Sequence, residues 1–209
     1  MMNHDNNWND MKKIINKIIV AVVAVMAMSS LSSCNYNSLV EKEQTVDQAW
    51  AQVENQYQRR ADLIPNLVNT VKGYSEHESE TFIKVTQARA GLTEAYNAAE
   101  AVENPQQNIQ QYQEAQSKLK GALDIYVNAV REAYPDLKAN QNFQDLQTQL
   151  EGTENRISTE RQRYTEAVKE YNSAIKKFPT VIYAGWFGFK EKEQFKAEAG
   201  ANKAPKVEF

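Results

Sequence analysis

From Phe143 onward, apolar or small side chains recur at Leu146, Leu150, Thr153, Ile157, Tyr164, Val168, Tyr171, Ile175 and Phe178. The steps are threes and fours, broken only where Glu160 takes a slot. Such a stripe predicts one helix over about 140 to 178, ~58 Å long at 1.5 Å per residue, with one face turned inward. Asn140 is its expected N-cap, and Phe178-Pro179 its end, because the residue before a proline is steered out of helical geometry. A second stripe, Ile109, Tyr112, Ala115, Leu119, Leu123, Tyr126, Val127 and Val130, lies between Asn104-Pro105 and Tyr134-Pro135 and predicts a helix over about 106 to 134.

The first half of the chain admits two cuts. Leu39, Val46, Trp50, Val53 and Tyr57 form a seam whose next slot falls on Arg60, after which Ile64, Leu67, Val71 and Tyr74 resume it. The phase carries across Pro65, so one reading is a single helix over about 36 to 73 with Pro65 as a kink. In the other, the first helix ends at Arg60 and Asp62 caps the next, with Pro65 in its first turn. Gly73 and then Ser75 with Glu78 read as a helix end followed by a capping box. Either cut gives an all-α chain, an antiparallel up-and-down bundle of four or five helices with short connections.

Composition agrees. Only 7 Gly and 5 Pro occur in 209 residues, which argues against a sandwich or barrel of many turns. The net charge of −3, with Lys and Arg dispersed, leaves no footprint for nucleic acid. One cysteine excludes an internal disulfide and a multi-thiolate metal site.

That cysteine lies at the end of an address. Lys12, Lys13 and Lys17 precede the apolar run Ile18 to Met28, 11 residues long, which suits a signal-peptide core and is short for a spanning helix. Leu31-Ser32-Ser33-Cys34 resembles a bacterial lipobox, in which Cys34 is acylated and becomes the mature N-terminus. The alternative is an uncleaved anchor over 14 to 33, with Cys34 incidental. Both readings expect tethering at the N-terminus, with the bundle outside the cytoplasm. Residues 1 to 10 are polar and precede a well-formed Met11-Lys12-Lys13 start, so Met11 is the expected first residue in translation. The expected division is 1–34 extension and anchor, 35–179 bundle, 180–209 aromatic segment and mobile charged tail.

A seam arginine is costly if buried alone, so Arg60 needs a partner. The candidates are Asp62, near in sequence, and Glu154 in the polar interruption of the last long helix. The expected structure is a polar layer of Arg59 or Arg60 with Asp62 and Glu154 that sets helix register. The competing reading makes these solvated flank charges whose stems cover the seam.

The same residues resemble the LemA family of bacterial membrane-associated helical proteins. The resemblance spans about 36 to 179. It rests on Tyr36-Asn37-Ser38-Leu39-Val40, Arg59-Arg60-Ala61-Asp62-Leu63-Ile64-Pro65-Asn66-Leu67-Val68 and Val71-Lys72-Gly73-Tyr74. Further along it rests on His77-Glu78, Ala88-Arg89, Tyr134-Pro135-Asp136-Leu137, Thr153-Glu154-Asn155-Arg156-Ile157, Asn172 and Phe178-Pro179. Thr165 departs from the Asn usual after Tyr164, and the lipobox departs from the uncleaved helix of many members. The resemblance implies an antiparallel four-helix bundle on an N-terminal membrane anchor, and no established activity.

Catalytic patterns are missing from the sequence. His77-Glu78 starts like a zinc-protease helix, but residue 81 is Thr where a second histidine belongs. A di-iron bundle needs two Glu-x-x-His pairs. No glycine-rich phosphate loop occurs. No enzyme, metal or cofactor is expected.

The stretch from Val181 to Phe189 is more suggestive. After an even number of antiparallel helices the chain returns to the Cys34 end, where Tyr183, Trp186, Phe187 and Phe189 either rest in the lipid interface or fold back as a lid. The expected role is a membrane-tethered, non-enzymatic adaptor or scaffold of the cell envelope, with membrane lipid at its N-terminus and an envelope protein or a second copy as partner. The alternative is a sensor holding a small envelope ligand between helices near Arg60 and Glu154.

Overall fold

The structure is a computed structural model that describes residues 4–73 and 81–196, the side chains of 4–10, 21, 23–35 and 81–84 excepted. Helix α1 spans His4–Lys72, α2 Thr81–Glu100, α3 Ile109–Ala133, α4 Gln141–Lys176 and the short α5 Thr180–Tyr183, with a 3-10 turn over Pro135–Ala139. No strand occurs among the described residues. The chain is an all-α bundle.

Of the two cuts through the first half, α1 takes the one that crosses Pro65, which lies inside the helix and is exposed. The helical donor that proline withholds from the Ala61 carbonyl is therefore lost on the wet side, where water replaces it. The seam dictates continuity: Leu63, Ile64, Leu67 and Val71 are all buried beyond Arg60. The helix also starts earlier than the expected residue 36, running unbroken through the proposed boundary at Cys34. Residues 11 to 20 are exposed, Ile14, Ile15, Ile18 and Ile19 among them, so this part of α1 carries apolar side chains that nothing covers. Among the described residues, no helix is long and apolar enough to cross a membrane. The Cys34 side chain, His77 and the Ser75–Glu78 capping box lie outside the described residues.

α4 runs antiparallel to α1. Lys42 meets Glu170 at 3.1 Å, the Trp50 and Tyr164 rings are 5.2 Å apart, and Arg60 reaches Glu154. Asn140 caps α4 as expected, its side chain accepting from the Phe143 amide at 3.1 Å. The turn before it is anchored by Leu137, fully buried. The α2–α3 connection passes through Asn104, at φ 48, a conformation asparagine tolerates better than most residues.

Length mismatch then matters. α4 has 36 residues, α2 20 and α3 25, or ~54, ~30 and ~38 Å. The α2–α3 connection sits level with Asp47, to which Gln106 donates at 3.1 Å. Between Asp47 and Tyr36, α1 and α4 therefore have no second helix pair against them. Residues 190–196 form a strap that starts in that gap beside Asn172 and runs on to Gln113 of α3. It corrects the expectation of a mobile tail from 190 onward; residues 197–209 lie outside the described residues.

Candidate functional site

Two constructions stand out, a buried polar layer at mid-bundle and the strapped end near Tyr36.

Arg60 is 2% exposed. Its Nη1 donates to Glu154 Oε1 at 2.7 Å, and its Nη2 donates to the Gln116 carbonyl at 3.3 Å and to the Gln116 side-chain oxygen. The guanidinium also stands 5.2 Å from the Tyr57 ring centroid. One cation thus ties α1 to α3 and α4. Glu154 keeps a side-chain exposure of 24%, so the pair is open to water on one side. Of the four residues expected in the layer, the structure brings Arg60 and Glu154 together and leaves out Arg59 and Asp62. Both are exposed, and Asp62 accepts from Gln58 at 2.8 Å. The reason is helical: neighbours are ~100° apart around the axis, so only one of Arg59 and Arg60 can occupy the seam, and Asp62 points ~200° away. Glu160, the other polar slot, is half-buried and paired with Arg163 at 2.9 Å.

At the strapped end, two side-chain amides each hold both polar groups of one strap residue. Asn172 donates to the Lys192 carbonyl at 2.8 Å and accepts from its amide at 3.0 Å. Gln113 does the same for Lys196, at 2.7 and 3.0 Å. Gln110 donates to the Gln194 carbonyl at 3.2 Å and the Tyr164 hydroxyl to the Glu193 carbonyl at 3.1 Å. An extended chain without strand neighbours needs such partners wherever it is buried. Phe195 supplies the apolar contact. It stacks on Trp50 at 6.0 Å and 17°, meets Tyr164 edge-on at 5.5 Å, and lies under the Arg161 guanidinium at 4.7 Å. Lys192 pairs with Asp47 at 2.8 Å and Glu43 at 3.4 Å. Burial pushes the Tyr164 hydroxyl up to about 12.

The sequence reading missed Gln113 and Phe195 and gave Asn172 no role. Gln113 was the findable one, since it is a polar residue next to the apolar Tyr112 and on the Ile109–Gln113–Gln116 face. Gln113 and Gln116 are the two buried polar residues of α3.

The chain enters the strap by a turn at Gly188, whose φ of +86 is a conformation that suits glycine. The turn closes with the Phe189 amide on the Ala184 carbonyl at 3.0 Å. Tyr36 meets Phe187 edge-on at 5.3 Å and Phe189 at 5.6 Å. Here the aromatic segment divides. Phe189 is buried, which corrects its place among the surface aromatics: it plugs the bundle under Tyr36. Tyr183 is half-buried against Phe187 at 6.0 Å. Trp186, Phe187, Val181, Ile182 and Phe178 are exposed, Trp186 and Phe178 by more than four fifths, at 83% and 82%. The end near Tyr36 is both lidded and apolar outside.

Among the described residues, no group of three or more His, Cys, Asp or Glu could hold a metal ion. The LemA family profile matches residues 49–209. The chain belongs to the LemA family. That match includes the strap and the aromatic end, beyond the limit of residue 179 read from the sequence. Curated relatives agree with it. Magnetosome protein MamQ 2 of Paramagnetospirillum magneticum is 26% identical over 85% of this chain and 71% of its own length. Magnetosome protein MamQ of Magnetospirillum gryphiswaldense is 24% identical over the same shares. Protein LemA of Metamycoplasma hominis is 25% identical over 72% of this chain and 60% of its own.

Proposed function

We propose that this LemA-family chain is a non-enzymatic scaffold, tethered through its N-terminus to a membrane of the cell envelope and seated on the lipid by its aromatic end, with the bundle outside the cytoplasm. The observation that carries this reading is the contact of Tyr36 with Phe187 and Phe189. It sets the exposed Phe178, Val181, Ile182 and Trp186 beside Tyr36, where the long N-terminal part of α1 enters the bundle. Large apolar side chains gathered on one end need a cover, and indole rings favour the lipid–water boundary. Acylation of Cys34 would hold the same end down. The rest of the bundle then stands clear for an envelope protein or a second copy. Relatives that carry the name magnetosome protein are in keeping with a role at an assembled structure.

The test is the depth of Trp186. The full chain carrying Trp8→Phe and Trp50→Phe is reconstituted in lipid nanodiscs, and emission is compared with and without brominated acyl chains. Quenching of Trp186 is expected; emission indifferent to bromine would end the lipid-seat proposal. Mass spectrometry of the mature N-terminus decides acylation, and crosslinking in membranes identifies the partner.

A further inference from the structure

A cleft of about 650 Å³ opens between α1, α2 and the connection into α3. Its size is that of a small-molecule site. Tyr57 and Tyr112, both buried, form the inner wall with their rings edge to face at 5.2 Å and 85°. Tyr96 stands on the α2 side, half-buried, its hydroxyl donating to Glu100 Oε1 at 2.8 Å. Glu54 and Glu100 are exposed and line the opening. Among the described residues, no Lys, Arg or His lines the cleft. Arg60 lies behind Gln116 and over the Tyr57 ring, so that ring already has its cation, and the Arg60 charge is met by Glu154.

The wall chemistry selects a ligand class. Ring faces carry negative quadrupole density and attract cations, each worth about 0.5–2 kcal/mol according to how dry the contact is. Two carboxylates at the opening add a field of the same sign and repel phosphates and carboxylates. The surroundings of the Tyr96 hydroxyl report that field: the bond to Glu100, burial, and the charges of Glu100 and Asp62 all raise its pKa. A neutral apolar ligand would have to desolvate the two carboxylates with nothing in return.

We propose that this cleft binds a small soluble organic cation, an alkylammonium of the polyamine or quaternary type, between the rings of Tyr96 and Tyr112 and the carboxylates of Glu54 and Glu100. A lipid headgroup is the wrong source. Glu54 lies eighteen residues beyond Tyr36 on α1, ~27 Å along the axis from the aromatic end. Gln116, which lines the cleft, is also the residue that holds Arg60, so an occupant touches the polar layer.

The test is calorimetric titration of the full chain, in phosphatidylglycerol nanodiscs, with spermidine and with choline. Dimethylbutanol, the neutral shape-match of choline, is the control. Saturable binding of at least one cation is expected, with a Kd of about 10 μM to 1 mM. The Tyr96→Leu variant and the Glu54→Gln/Glu100→Gln variant should each weaken it at least about tenfold, the loss of one ring or charge contact of roughly 1.4 kcal/mol. The carboxylate variant changes only exposed side chains, and it decides alone if Tyr96→Leu does not fold. Four results would overturn the proposal: no binding heat up to about 10 mM, equal binding of dimethylbutanol, affinity unchanged in the variants, or binding of polylysine alone, which would make the cleft a docking site for a basic peptide. Loss of the signal in phosphatidylcholine discs would assign the site to a headgroup and overturn the soluble source.

Discussion

Removing the Glu154 carboxylate should cost more than removing both partners of its ion pair. In Glu154→Leu, Arg60 keeps its charge at 2% exposure, with Gln116 and the Tyr57 ring left beside it. Breaking a buried pair from one side typically costs about 3–5 kcal/mol. The carboxylate is 24% exposed, so water can enter where it stood, and a cost of about 2–4 kcal/mol is the reasoned value. Arg60→Leu leaves the opposite problem in milder form. Glu154 can turn to solvent, and the loss is chiefly the partner of Gln116, about 1–2 kcal/mol. In the double variant neither charge remains and two leucines fill the seam, so its cost should lie below that of Glu154→Leu alone. The coupling energy is then about 1.5–3 kcal/mol. Urea denaturation followed by circular dichroism measures all four proteins. At about 2–4 °C per kcal/mol for a chain of this size, Glu154→Leu should also lower Tm by roughly 4–16 °C. The coupling should persist at high salt, because a buried pair is poorly screened. Effects that add within about 0.5 kcal/mol would refute the layer as a coupled unit and make Arg60 and Glu154 independent flank charges.

Three further outcomes follow from the strap and the core. Phe195→Ala should destabilise by about 2–3 kcal/mol, less than for a fully buried ring because Phe195 is half-buried; limited proteolysis should then cut between 189 and 196, sites that resist cleavage in the parent. Gly188→Ala forces an alanine to φ +86 in otherwise open space, so it should cost about 1–2 kcal/mol through backbone strain alone, and Gly188→Asn should recover part of that in thermal melts. Burial raises the Tyr112, Tyr126 and Tyr164 hydroxyls from 10.0 to about 12. The folded chain therefore holds these protons where the unfolded chain releases them, and stability that is complete below pH 10.0 should fall as pH rises toward about 12. Melts across that range, read beside phenolate absorbance, test it; constant Tm would contradict the burial of these rings.

What the sequence determined alone was the set of rods. The 3.6-residue recurrence in 143–175 and 109–130 and the asparagine cap at 140 are local properties, written in which side chains are apolar and how far apart they stand; continuity through Pro65 was one of two open cuts, and the structure chose it. The same logic marked Arg60 as a seam intruder in need of a partner and Glu154 as a candidate. It could not separate Arg59 from Arg60, or discard Asp62, until a rotation about the α1 axis was known. Tertiary structure alone decided the strap. Its bonds join Gln113 to Lys196 and Asn172 to Lys192 across 83 and 20 residues, and an extended segment held by side-chain amides has no period to read. It also decided the fate of the aromatic end. Phe189 and Trp186 are the same kind of residue three positions apart, and only the turn at Gly188, with Tyr36 waiting beside it, sends one ring inward and leaves the other on the surface. Helices are specified by neighbours in sequence, whereas the strap, the lid and the cleft are specified by the unequal lengths of helices that meet in space.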